Sequence, residues 1–209
     1  MVRAADLRDW VAFAREHLQP MEIGAKIFVV PEWRNDPTPA GRIRIEVNAG
    51  LAFGTGAHET TRLCLEAIER ILKPGMAFAD IGTGSGILTE AALKLGAACA
   101  VACDTDMDAV AVARENFSRA GVEPQVFAGS ANGVADRSAD LLAANISPAW
   151  IADLASEWVR ILKPGGMAVL SGFEAADIAF VSQALERAGA RIVDQRGERD
   201  WRMIQITVS

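Results

Sequence analysis

The stretch Asp80-Ile81-Gly82-Thr83-Gly84-Ser85-Gly86 decides the reading of this chain. It closes the apolar run MAFADI and precedes ILTEAALKLGA, so it stands where a strand gives way to a helix. Glycines at such a junction let a ligand approach the backbone closely, and the helix behind them offers N–H groups that have no partner within the helix. The next apolar run, CAVACD, ends at Asp104, about 20 residues further on, where a carboxylate can accept both hydroxyls of a ribose. Together the two elements point to a bound nucleoside.

The spacing narrows the ligand. Dinucleotide sites use G-x-G-x-x-G, whose third glycine admits the pyrophosphate at the helix end. This loop reads G-x-G-x-G and begins with Asp80. A carboxylate at that entrance repels a pyrophosphate and suits an ammonium group, which the methionine end of S-adenosyl-L-methionine carries beside its sulfonium. Asp80 also has a plainer reading, as a cap that only orders the loop.

Working outward, helical and strand patterns alternate: helices over 60–72, 86–95, 107–120, 149–162 and 175–188, and strands over 76–81, 98–104, 125–128, 140–146, 167–172, 191–197 and 201–208. MAFADI, CAVACD, LLAANI and MAVLSG are apolar almost throughout, as strands are when helices cover both faces of a parallel sheet. The expected fold is a doubly wound α/β sheet. Only GERD separates the last two strands, too little for a helical crossover, so they should pair antiparallel and depart from the usual dinucleotide-binding sheet. LKPG ends a helix twice, at residues 72–75 and 162–165.

Residues 1–50 have a different texture. DLRDWVAFAREHL has helical spacing and stops at Pro20, and IFVV and RIRIEV read as two strands joined by PEWRNDPTPAG. This gives a helix and a hairpin-like lead-in over 1–50, with the main domain over 51–209. Cys64, Cys99 and Cys103 lie in apolar surroundings with no C-x-x-C pair, which implies buried thiols in a reducing compartment and no metal site. With 209 residues, 51% hydrophobic and 23% charged, the chain can bury a full core. Its 21 basic and 27 acidic residues, net −6, argue against nucleic acid or an anionic membrane as partner. The first residues lack a signal core and no run is long enough to span a bilayer, so a cytoplasmic location is expected.

DIGTGSGILTEAALKLGA followed by ACDTDMDAVAVARENFSRAGV resembles the cofactor half of a class I S-adenosylmethionine-dependent methyltransferase, with its Rossmann-like sheet. GLAFGTGAHETTRLCLEAIE and AANIS narrow the resemblance to the bacterial family that methylates ribosomal protein L11, and FGTG-x-H-x-TT is its most specific element. The family normally carries a separate N-terminal domain that recognises the substrate protein, and this sequence starts at about the linker. Where the family usually has Asn-Ile-Leu, Ser147 replaces the Leu, and Ser130 stands where related enzymes often place an acid for the adenine amino group.

The resemblance implies a cofactor-contacting set of Thr61, Gly82, Asp104 and Asn145. Asp80, Gly84, Gly86 and Ser130 are added from the loop and the strand ends, and Asn145 is the candidate catalytic residue, its amide placed to accept a proton from an incoming amine. Thr61 has a plainer reading as a helix cap, and Asn145 as a turn residue before Pro148. His58 is a site-lining candidate, whereas Trp10, Trp33, Trp158 and Trp201 read as core or linker anchors, with Trp150 the one tryptophan placed to matter. Residues 53–61, rich in Gly and Thr, are expected to act as a lid. The implied activity is methyl transfer from S-adenosyl-L-methionine to a protein amine, with ribosomal protein L11 as the implied partner. A small-molecule N-methyltransferase and a non-enzymatic cofactor-binding module are the competing readings.

Overall fold

Successive residues of the central strands go to opposite cores. Phe78, Leu141, Val169 and Met203 belong to one buried cluster, and their neighbours Ala79, Leu142, Leu170 and Ile204 to the other. That is the two-residue side-chain period of a strand expressed in a sheet covered on both faces. The computed structural model describes residues 18–48 and 58–209. The helix expected over 6–18, except for its last residue, the boundary at residue 50, and residues 53–57 of the expected lid lie outside the described residues.

In chain order the elements are β1 (Met21–Ile23), β2 (Ile27–Pro31), β3 (Ile43–Val47), α1 (Glu59–Ile71), β4 (Ala77–Ile81), α2 (Ile87–Lys94), β5 (Cys99–Asp104) and α3 (Met107–Ala120). They continue with β6 (Gln125–Ala128), β7 (Ala139–Asn145), α4 (Pro148–Asp153), α5 (Ala155–Ile161), β8 (Leu162–Glu174), α6 (Ile178–Arg187), β9 (Arg191–Glu198) and β10 (Trp201–Thr207). The main sheet has seven strands in the order β6-β5-β4-β7-β8-β10-β9. Strands β4 to β8 pair in parallel, and β10 inserts antiparallel between β8 and β9, as the short GERD connection requires.

This order fixes where a ligand binds. The chain leaves β4 toward β5 and β6, then returns to the other side of β4 as β7, so connections diverge between β4 and β7. In such sheets the crevice forms at the carboxyl ends of the strands flanking that switch point. Residues 82–86 follow β4, and Asn145 ends β7.

Four readings are corrected. IFVV and RIRIEV do form strands, but β2 and β3 pair in parallel, and the hairpin is made by β1 with β2 around Gly24, Ala25 and Lys26. The prolines between β2 and β3 withhold ladder donors, so the chain runs back outside the sheet before pairing. Arg44 holds this return by donating to the carbonyls of Asp36 and Arg34 at 2.8 and 3.0 Å. The helix expected over 149–162 breaks into α4 and α5 at Leu154, with φ −94 and ψ 12. The fully buried Trp158 fits that break, its indole donating to the Ile151 carbonyl at 2.9 Å. Cys99 is exposed at the start of β5, while Cys64 and Cys103 are buried. The expected strand over 167–172 is longer, running from Leu162 to Glu174.

β8 carries a bulge at Gly172: Phe173 pairs with Arg202 and Ser171 with Met203, leaving Gly172 without a partner in β10. Its φ is +101, and a Cβ there would lie 2.2 Å from the Ile146 carbonyl oxygen. Gly172→Ala should therefore cost about 2–4 kcal/mol through left-handed strain and backbone overlap. Urea denaturation will show this as a lowered midpoint, and an unchanged midpoint would contradict it.

Candidate active site

The loop after β4 is held from beneath and from the side. Gly82 and Thr83 donate their backbone N–H to the Cys103 carbonyl at 2.9 and 3.0 Å. Gly84 N–H donates to Asp104 Oδ2 at 2.9 Å, and Asp106 N–H to Asp104 Oδ1 at 3.0 Å. Gly82 has φ +74, and a Cβ there would sit 2.4 Å from Ile146 Cγ2. Only glycine brings the loop this close to the segment after β7. Gly86 caps α2 and lies against the Phe117 ring, behind the cleft that Gly82 and Gly84 line.

Asp80 is not at the entrance. It is wholly buried under the loop, and its Oδ2 accepts from the Thr83 and Thr89 hydroxyls at 2.8 and 2.7 Å. The structure thus favours the plainer, loop-ordering reading of this residue over a position facing the ligand. Burial pushes its carboxyl up to about 6, against the hydrogen bonds from Thr89 and Thr83. Its Oδ1 is buried without a hydrogen-bond partner among the described residues. Burial also raises the Cys64 thiol, and the Cys103 thiol to about 12, so neither is a nucleophile at neutral pH.

A cleft of about 360 Å³ opens at the switch point. Thr61 and Asn145 meet in it: Asn145 Nδ2 donates to Thr61 Oγ1 at 3.4 Å, across 84 residues of sequence. That bond leaves Asn145 Oδ1 to accept from a ligand. Thr61 is buried and does not cap α1. His58 is the cap, its Nδ1 accepting from Thr60 N–H at 3.4 Å and lying 2.8 Å from Thr60 Oγ1. His58 also lines the cleft, as expected.

Trp201, expected as a core or linker anchor, lines the cleft and meets His58 edge to face, with centroids 4.6 Å apart and planes at 67°. Its neighbours in sequence carry no motif. The available signal was its position, opening the last strand at the edge where a doubly wound sheet binds ligands. Two ion pairs hold that edge to α1: Arg62 with Glu198 at 2.5 Å and Arg199 with Glu59 at 2.9 Å. Trp150 is 58% exposed and does not line the cleft.

Asp104 and Ser130 stand beside the cleft without lining it. Gly129 N–H donates to the Asp104 carbonyl at 2.9 Å, which sets Ser130 next to the end of β5. Thr61, Gly82, Gly84, Asp104, Ser130 and Asn145 thus share one edge of the sheet. Asp80 and Gly86 serve it from behind. Among the described residues, none that lines the cleft is a carboxylate, lysine or arginine. Among the described residues no group of three metal-ligating side chains occurs.

Residues 1–208 match the family described as ribosomal protein L11 methyltransferase (PrmA). A ribosomal protein L11 methyltransferase from Symbiobacterium thermophilum is 40% identical over 95% of this chain and 66% of its own length. One from Gloeobacter violaceus is 41% identical over 95% of this chain and 62% of its own length. The chain therefore spans 62–66% of the length of these curated relatives. The crystal structure of a ribosomal protein L11 methylase from Lactobacillus delbrueckii subsp. bulgaricus aligns with a TM-score of 0.83 at 28% identity, covering 91% of this chain and 97% of that one. A methyltransferase from Pyrococcus furiosus shares the fold, with a TM-score of 0.59 at 19% identity over 67% of this chain and 78% of its own. A doubly wound sheet with an inserted antiparallel strand, a glycine loop and a Thr61–Asn145 contact is what this chain has in hand, and with the match over residues 1–208 it belongs to the ribosomal protein L11 methyltransferase family.

Proposed function

We propose that this chain transfers a methyl group from S-adenosyl-L-methionine to a protein amine, a lysine side chain or an N-terminus, and that ribosomal protein L11 is the acceptor. The observation that carries the reading is the meeting of Thr61 and Asn145 beside the glycine loop, in a cleft whose described lining holds no carboxylate, lysine or arginine. The residues fit the cofactor. The loop is a cradle that a Cβ at Gly82 would fill. Asp104 would take the ribose hydroxyls, Ser130 the adenine amino group, and Thr61 the methionine carboxylate, with Gly82 and Gly84 along the backbone of the loop. When bound, the cofactor supplies an electrophilic methyl on a sulfonium.

The chain's own task is positioning. A lysine amine with a pKa near 10.4 needs about 4.6 kcal/mol to be neutral at pH 7. Holding two reactants in line contributes about 7–11 kcal/mol. No strong base is needed, and no carboxylate or lysine lines the cleft among the described residues. A site without carboxylates, walled by Trp201 and Ile146, favours the neutral amine over the ammonium. Asn145 Oδ1 would accept one amine N–H and so aim the lone pair. No helix among the described residues is long and apolar enough to cross a membrane. A cytoplasmic location with no nucleic-acid or membrane partner completes the reading.

Incubation of the chain with labelled S-adenosyl-L-methionine and purified ribosomal protein L11 should place label on lysine or N-terminal nitrogen, located by mass spectrometry. Absence of label from L11, with label appearing on a small molecule when cell extract is added in its place, would overturn the acceptor class. Asp104→Asn keeps the side-chain shape but removes the charge that strengthens its hydrogen bonds, each worth roughly 1.5–3 kcal/mol. Calorimetry should show S-adenosylhomocysteine binding weakened about tenfold or more. Equal affinity in a folded variant would remove Asp104 from the site.

Asp80 gives a pH dependence with a defined sign. Its native carboxyl titrates at about 6, above the ordinary 3.8, so the native state binds the proton more tightly than the unfolded chain does. The stability this contributes is complete below pH 3.8 and is lost as pH rises through about 6, a fall of about 3 kcal/mol. Asp80→Asn should flatten that part of the stability profile of the ligand-free protein. An identical slope in wild type and variant would contradict the assignment.

A further inference from the structure

We infer that Asn116 is a positioning residue for the glycine loop, and that through Arg119 and Glu32 it couples cofactor affinity to the N-terminal three-stranded sheet. The inference rests on the reading of that loop as the cofactor site and adds a control point outside the cleft. Asn116 is on α3, and its Nδ2 donates to the Ser85 carbonyl at 2.8 Å. The peptide that carries this carbonyl also carries the Gly86 N–H, which donates to the Thr83 carbonyl at 2.9 Å. Asn116 therefore sets the plane of the peptide that closes the loop's turn. The next residue, Phe117, is buried against Gly86, so α3 braces the loop through a bond and a ring at adjacent positions.

An amide side chain has two faces of similar shape, and something must choose between them. Here Arg119 chooses. Its Nη2 donates to Asn116 Oδ1, which leaves Nδ2 as the only group of the amide that can serve Ser85. Arg119 Nη1 is in turn held by Glu32 Oε2 at 2.5 Å, and Glu32 N–H donates to the Val47 carbonyl at 3.0 Å, at the end of β3. The line of contacts runs from the N-terminal sheet to the glycine loop without touching the cleft. Beside it lies a polar pocket of about 180 Å³, lined by Arg44, Glu46, Glu90 and Lys94 along with Asn116 and Arg119. The junction is thus made of directed polar groups, which have defined alternatives, and a shift of the sheet would be felt as the loss of particular bonds.

Calorimetry with S-adenosylhomocysteine on the full chain tests this, with thermal denaturation of each ligand-free variant as a control for folding. Asn116→Ala should weaken binding roughly three- to tenfold, as expected for one hydrogen bond. Asn116→Asp is the sharper variant. It keeps the size and the acceptor for Arg119 but cannot donate to Ser85, so binding should weaken as in Asn116→Ala. Glu32→Gln should weaken binding about twofold, because the pair with Arg119 is partly exposed. Combined with Asn116→Ala it should add nothing further, since both act through one bond. Wild-type affinity in Asn116→Asp would overturn the positioning role, and additive effects of Glu32→Gln and Asn116→Ala would overturn the coupling. If wild type itself fails to bind S-adenosylhomocysteine, the reading of the site fails and this inference falls with it.

Discussion

Residues 82–86 belong to neither a strand nor a helix, and their peptide groups must be held in place by something else. Everything around the site answers that requirement. The Cys103 carbonyl and Asp104 fix the loop from β5, Asp80 fixes it from below through Thr83 and Thr89, and Asn116 fixes it from α3. Each of these partners stands on a regular element whose position is set by the two cores. The sheet thereby sets the loop's peptide planes, and glycine is needed at 82 and 86 because a Cβ there would overlap Ile146 and Phe117.

The same arrangement sets the electrostatics of the cleft, among whose described lining residues no carboxylate, lysine or arginine occurs. A buried carboxylate facing such a cleft would hold an amine as its ammonium, which has no lone pair. Here Asp80 lies behind the cleft, its Oδ2 taken by two hydroxyls, and Asp104 lies beside it, each of its oxygens accepting one backbone N–H. What faces the cleft among the described residues is an amide, hydroxyls, the His58 imidazole and an aromatic wall. The division between carboxylate support and carboxylate-free lining is the electrostatic content of the site.

Much of this was legible in the sequence. Strand and helix periods located the parallel sheet, the short GERD connection predicted the antiparallel insertion, and the glycine loop and Asp104 fall, as expected, at the carboxyl ends of adjacent parallel strands. What stayed hidden depends on long-range geometry. The parallel pairing of β2 with β3 rests on a proline-rich return held by Arg44, and nothing in IFVV or RIRIEV specifies direction. The break at Leu154 depends on Trp158, four residues on, reaching back to Ile151. Asp80 reads from the sequence as a partner for an ammonium, and only its depth, wholly buried under the loop, shows it as an anchor. Trp201 and Asn116 carry no motif of their own and acquire their places only when β10 is inserted beside β8 and α3 packs behind the loop.

The central claim is that this edge of the sheet is built for a sulfonium nucleoside and not for a dinucleotide. Isothermal titration of the chain with S-adenosylhomocysteine and, separately, with NAD tests it most directly. Saturable one-to-one binding of S-adenosylhomocysteine with no heat from NAD is the predicted result. Saturable binding of NAD with silence toward S-adenosylhomocysteine would contradict the account.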